Sequence, residues 1–171
     1  TSTSLSFNYQ WNPNALLRQN GRIERRISGF GKSWLLSAGV SAWLGDRSTG
    51  VARAIYLRDD STGFSVSRRE QLRAQLGWAL RAQHSEQADF FIRAEHRQEK
   101  DTSRQSVRQF NILSVNLNKP LTPKINLQAY YVFNQGDEKL VDLDEQFTAH
   151  LVGLRTGCRF SDQYELSFQA L

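Results

Sequence analysis

Methionine is absent from the 171 residues, cysteine occurs once and proline three times. The lone Cys158 excludes an internal disulfide and a cysteine-ligated metal cluster. Pro13, Pro120 and Pro123 all fall in apparent turns, so the stretches between turns keep their backbone donors. No apolar run approaches the roughly 18 residues of a membrane helix. That does not exclude a membrane, because a β-barrel crosses it with alternating strands and shows no hydropathy peak. No initiator methionine and no signal peptide are present, which fits a mature protein or a piece of one. Acid is also in short supply. There are 17 Asp and Glu against 22 Lys and Arg, a net charge of +5, with arginine far outnumbering lysine. Such a balance fits nucleic acid, anionic lipid or an anionic solute, and the pattern has to choose among them. A mean hydropathy of −0.55 looks soluble at first sight, and the length suits one domain, residues 1–171.

The most informative stretch is Glu70 to Arg97. Even positions read Leu72, Ala74, Leu76, Trp78, Leu80 and Ala82, and odd positions Arg73, Gln75, Gly77, Ala79, Arg81 and Gln83. After the polar turn 84–87 the rule resumes. Ala88, Phe90, Ile92 and Ala94 face one way, and Asp89, Phe91, Arg93, Glu95 and Arg97 the other. Side chains on a strand alternate faces with period two, so the stretch predicts two long strands with one apolar and one arginine-rich face. A helix is the rival, since Glu, Gln, Leu, Arg and Ala are good helix formers. Wound as a helix, however, these apolar residues would cover more than half the circumference instead of one stripe.

The same pattern recurs along the chain. Leu5, Phe7, Tyr9 and Trp11 alternate with Ser6, Asn8 and Gln10, and Asn12-Pro13-Asn14 signals a turn. Leu16 to Ile27 is less regular, with Ile23 and Ile27 opposed to Arg22, Glu24 and Arg26. Ser33 to Leu44 alternates cleanly, Val51 to Arg58 is mixed, and strands follow over 107–117, 124–134, 147–160 and 164–171. The predicted fold is all-β, an antiparallel up-and-down barrel of about ten strands. Strands of about 8–13 residues exceed the ordinary globular length and suit a tilted span of a bilayer. From Arg58 on, connections alternate long and short: polar loops at 59–69, 98–105 and 135–146, short turns at 84–87, 118–123 and 161–163.

This two-faced repeat resembles Gram-negative outer-membrane β-barrels over nearly the whole chain. The arginine-rich strands with Gln and Glu partners are most similar to the porin-like domains that follow helical repeats in exopolysaccharide exporters. The resemblance implies a bacterial outer-membrane location, contact with membrane lipid and lipopolysaccharide, and transport through the barrel, with no cofactor. If the short turns are periplasmic, both chain ends fall on the wrong side for a finished barrel. The expectation is then a portion of a larger barrel, completed by other chains or further strands; a miscounted strand in Leu16 to Arg26 would explain the same count.

In that frame the apolar face meets lipid, and the lumen receives Arg73, Arg81, Arg93, Arg97, Arg108, Arg155 and Arg159, with Glu95 as the main acidic partner. Arginines lining a pore concentrate anions and bind carboxylate, sulfate or phosphate bidentately. The plain alternative is a set of Arg–Glu ladders filling a barrel wall. Trp11, Trp34, Tyr131, Phe133 and Tyr164 lie near predicted strand ends, as an interfacial aromatic girdle would; Trp78, mid-strand, does not fit it. The acidic segment holding Asp137, Glu138, Asp142, Asp144 and Glu145 lacks calcium-loop spacing and reads as a solvated loop. Gly29 to Ser33 ends like a phosphate-binding loop, but Arg26 stands where that pattern needs glycine and a strand follows. His84, Ser85 and Glu86 are consecutive on a turn and cannot form a catalytic relay. Cys158 shares the register of Val152 and Leu154, as a small wall residue does. Nucleic acid is disfavoured, because arginines and aromatics fall mostly on opposite faces. The leading expectation is a non-enzymatic conduit with a polar, net-positive lumen for polar or anionic solutes or polysaccharide. The alternatives are a lipid-modifying barrel enzyme and a soluble β-sandwich binding module.

Overall fold

Period-two alternation becomes ten strands: β1 (Ser2–Asn14), β2 (Leu17–Ser28), β3 (Gly31–Trp43), β4 (Ser48–Thr62), β5 (Val66–Leu80), β6 (Asp89–Asp101), β7 (Ser106–Thr122), β8 (Ile125–Lys139), β9 (Asp144–Arg159) and β10 (Glu165–Ala170). The computed structural model describes residues 2–62, 66–84, 87–140, 143–159 and 165–170. The strands form one antiparallel sheet in chain order, β1 through β10. Glu70 to Arg97 is strand, not helix, divided between β5 and β6. The irregular stretch from Leu17 is the single strand β2. What disturbs its alternation is Arg25, a charged residue on the apolar face that covers Trp34, its guanidinium 5.0 Å from the ring centroid. Among the described residues β1 and β10 each pair on one side only, so the sheet is an open arc.

Burial is inverted relative to a water-soluble domain. No hydrophobic residue is buried among those described, whereas Glu24, Glu95, Glu99, Ser106 and Ser114 are. Leu76 is 64% exposed and Phe7 65%. A sandwich would cover this apolar face with a second sheet; the described residues supply none, and that alternative is set aside. Direct partners in a sheet share a face. On the apolar face Trp34 to Ala42 in β3, Leu72 to Leu80 in β5 and Ile125 to Phe133 in β8 are unbroken nine-residue runs of apolar positions. Nine to eleven tilted residues match a bilayer's hydrocarbon thickness.

Beyond the band, toward the β4–β5, β6–β7 and β8–β9 connections (the upper end), the same face carries Arg58, Asp60, Arg68, Glu70, Lys100 and Asp137. This corrects the expected alternation of long and short loops. Most of 59–69 and 135–146 and half of 98–105 is strand: β4 runs to Thr62, β6 to Asp101 and β8 to Lys139. Asp137, Glu138 and Glu145 are paired strand residues, and Asp142 lies outside the described residues. Once outside the band both faces turn polar, so the period-two signal vanishes and a strand looks like a loop. Asn118 to Thr122 likewise belongs to β7, with a register shift between Pro120 and Thr122. The expected turn at 161–163 lies outside the described residues, as do Ser85 and Glu86.

The upper β6–β7 turn shows how tight these hairpins are. The backbone N–H and the hydroxyl of Ser103 donate to Asp101 Oδ1 at 2.9 and 2.6 Å, and the Arg104 N–H at 3.3 Å. The Ser103 hydroxyl above all, then the Arg104 and Ser103 amides, hold the Asp101 carboxyl below the usual carboxylate range. Its stabilisation is therefore complete above the unfolded value near ~3.9 and lost as pH falls through the lower folded value. The protection of the Thr102 to Gln105 amides, taken as exchange relative to the intrinsic rate at each pH, should fall only in that acidic window in wild type, and lose this pH dependence in Asp101→Asn. Gln105 adopts φ +49°, a conformation that strains any residue with a Cβ. Gln105→Gly is expected to stabilise the protein by about 0.5–1 kcal/mol, read from chemical unfolding in detergent.

Three glycines have a particular place in the ladder. Gly21, Gly153 and Gly136 are direct partners of Tyr9, Tyr130 and Phe147. In each pair the aromatic ring occupies the space that a Cβ on the glycine would need.

Candidate functional site

The face opposite the apolar band is concave and polar. Its register places Gln10, Asn20, Gly39, Arg53, Gln75 and Glu95 side by side across β1 to β6. The neighbouring row toward the lower end holds Ser41, Val51, Gly77, Arg93 and Ser114.

Most arginines on this face are held by carboxylates. Arg73 Nη2 donates to Glu95 Oε2 at 2.9 Å and its Nε lies 2.6 Å from Oε1, while Gln75 donates to Oε2 at 2.8 Å. The Glu95 side chain is 3% exposed and fully engaged. Toward the upper end Glu99 accepts from Arg97 and, at 3.2 Å, from Gln71, with Arg69 at 3.7 Å. Arg108 donates to Glu138 at 2.7 Å. Across the arc Glu24 is gripped between Arg22 and Arg26. In a part-buried setting such pairs must be complete, because a lone buried carboxylate is costly.

Arg73, Arg93, Glu95, Arg97, Arg108 and Arg155 thus share the concave face, and Arg159 joins them at the lower end of β9, exposed. Arg81 does not. It follows the end of β5, its carbonyl accepts from Arg47 Nε at 2.8 Å, and its guanidinium lies 5.7 Å from the Trp43 ring centroid. The ladder stops at Leu80 because Ala82 turns toward Asp89, donating to Oδ1 at 2.7 Å.

Among the aromatics, Trp11 and Trp34 lie near the lower end of β1 and the upper end of β3. Tyr131 and Phe133 are not near strand ends: they sit mid-β8, at the upper limit of the apolar band. There the Tyr131 hydroxyl is 2.9 Å from His150 Nδ1, and Phe133 stacks obliquely on the same ring at 5.1 Å. Tyr164 lies outside the described residues. Trp78, expected mid-strand, is two residues from the end of β5, where its Nε1 donates to Ser48 Oγ at 2.6 Å and its ring meets Phe90 edge-on at 5.8 Å.

Sequence reasoning missed Arg22, Glu24 and Arg26, although their opposition to Ile23 and Ile27 is legible. It also missed Arg53, because β4 carries Val51, Ile55 and Leu57 on the concave face and so shows no clean alternation. Arg53 matters because, with Arg93, it has no carboxylate within ion-pair distance among the described residues. Arg93 Nε is buried without a hydrogen-bond partner. Both arginines line a trough of about 650 Å³ at the centre of the face, together with Asn8, Gln10, Asn20, Ser37, Ser41, Gln75 and Phe91. Chemically it is a net-positive, amide-rich surface with donors in excess.

No family model and no curated protein sequence matches the chain. Solved structures do match in fold. The siderophore receptor PirA from Pseudomonas aeruginosa superposes with TM-score 0.78 at 11% identity, over 98% of this chain and 32% of that one. The copper transporter OprC gives 0.75 at 10% identity, over 94% and 34%. OmpT, an in-vitro folded outer membrane protein of Vibrio cholerae in its trimer form, gives 0.58 at 11% identity, over 98% and 80%. The chain spans about a third of the length of the first two. Its ten-stranded antiparallel sheet has the fold of a bacterial outer-membrane β-barrel, present here as an open arc.

Proposed function

We propose that the chain is part of the wall of an outer-membrane conduit, its apolar face in lipid and its arginine face lining a path for polar or anionic solutes, polysaccharide included. The observation that carries this reading is the division of one sheet into a nine-residue apolar band and a concave face with unpaired Arg53 and Arg93. The arc matches a third of two large barrels more closely than four-fifths of a smaller one, which supports a wide barrel closed by further strands. Siderophore and copper traffic belong to those two proteins; for this chain the charge of the face favours anions. The upper charged collar, with Arg58, Arg68 and Lys100, would meet lipopolysaccharide phosphates. In this reading the wall selects by width and charge and performs no chemistry.

The test is reconstitution, into planar bilayers under a salt gradient, of the barrel closed by the strands or chains that complete the arc. Conductance with an anion-preferring reversal potential is expected, and neutralising Arg53, Arg93 and Arg155 together should move that potential toward zero. Absence of any channel, or a cation preference in the wild type, would sink the proposal.

A further inference from the structure

We infer that the trough around Arg53 and Arg93 is a binding subsite for a carboxylate carried on a sugar, as in a uronate-containing polysaccharide. The inference rests on the conduit reading and gives its solute a chemical class.

The argument starts from what the neighbouring ladders do with their charge. Arg22, Arg26, Arg73, Arg97 and Arg108 are each matched to a glutamate on the same face. At the centre that matching stops. Arg53 and Arg93 have no acidic partner among the described residues, and Arg93 keeps a buried Nε unsatisfied. A buried unsatisfied donor costs stability unless something else occupies it. A guanidinium fork fits the two oxygens of a carboxylate.

Two further features distinguish a sugar acid from a bare anion. Each arginine has a glycine as its direct cross-strand partner, Gly39 beside Arg53 and Gly77 beside Arg93. Neither glycine puts a side chain of its own beside the guanidinium; the space above Gly77 is taken by Val51, whose Cγ2 lies 2.7 Å from where a Cβ would stand, and that above Gly39 by a polar amide. Asn20 lies over Gly39, its Oδ1 only 2.6 Å from where a Cβ would stand. With Gln75 it offers amide donors and acceptors at the level of Arg53, as hydroxyl groups require. Phe91 supplies an apolar wall beside Arg93, suited to the C–H face of a pyranose ring. An inorganic anion would use the arginines alone and leave the amides and Phe91 idle.

The test is calorimetric titration of the full chain in detergent micelles with three probes: trigalacturonate, the uncharged maltotriose and inorganic sulfate. Trigalacturonate should bind more tightly than either. Arg53→Gln with Arg93→Gln should weaken it by about tenfold or more. Arg93→Lys, which keeps the charge and loses the fork, should fall between, and Lys119→Gln on the outer face of β7 should bind as wild type. Strand content by circular dichroism checks that each variant is folded. Sulfate binding as tightly as trigalacturonate overturns the sugar assignment, and unchanged affinity in the double variant overturns the site. A conductance without trigalacturonate binding removes the subsite and leaves the conduit. Binding without conductance does the reverse.

Discussion

Leu76→Arg is expected to cost about 2–4 kcal/mol of unfolding free energy in phospholipid vesicles, the penalty of a cation at mid-depth on a lipid-facing strand. Leu76 is the central residue of the Leu72 to Leu80 run and is 64% exposed, so in water the same substitution would be close to neutral. The control is Asn116→Arg, which places the same charge on the exposed concave face of β7 and should cost less than about 1 kcal/mol. The contrast is the result that matters. Equal costs for the two variants would mean that lipid does not distinguish the faces, and the assignment of outside and inside would fall with it. Stability of the protein in buffer without detergent would contradict the same assignment by a separate route, since the exposed apolar face should then drive aggregation.

The second large effect concerns Glu95. Removing its carboxylate as Glu95→Leu leaves Arg73 and Gln75 without their acceptor and brings Arg73 and Arg93 to the same spot uncompensated. Breaking a fully buried pair costs about 3–5 kcal/mol. Arg73 is 37% exposed and can recover some hydration, so about 2–3 kcal/mol is expected. Arg73→Leu added to Glu95→Leu should return a substantial part of the loss, because the unpaired cation goes with its partner. Chemical unfolding of the two single variants and the double variant gives the coupling directly. Purely additive losses would show that the pair contributes nothing beyond two separate side chains.

The extent to which the sequence announces this arrangement follows from which signals are local. Face alternation is local: Leu72, Ala74, Leu76 and Trp78 against Arg73, Gln75 and Gly77 already state the strand and its two sides, and the ten strands follow. Where a strand leaves the apolar band the signal fades. Arg58 to Asp60 and Gln98 to Asp101 are charged on both faces and resemble loops, although they are paired residue by residue. Ion-pair partners are not local at all. Arg73 meets Glu95 across a turn whose length sets the register, and Arg108 meets Glu138 only after a 30-residue excursion. Which arginines remain free is therefore a property of the whole ladder. That is why Arg53 is hidden among its valine and isoleucine neighbours, and why the Trp43 ring that Arg81 meets, one residue past the end of β5, is not announced by its own strand.

The three ring-over-glycine pairs bear on how such a sheet avoids assembling out of step. A slip of one residue between two strands exchanges lipid-facing and inward-facing side chains, and the apolar band forbids it. A slip of two residues does not: every side chain keeps the face it has now. Tyr9 would then leave Gly21, and Tyr130 and Phe147 would leave Gly153 and Gly136, each ring meeting a side chain where it now meets none. These pairs sit in the β1–β2 and β8–β9 hairpins, close to the two unpaired edges, while the middle of the sheet has its cross-strand ion pairs. The glycines act there as keyed stops, selecting one alignment from a series that hydrophobicity alone would leave equivalent.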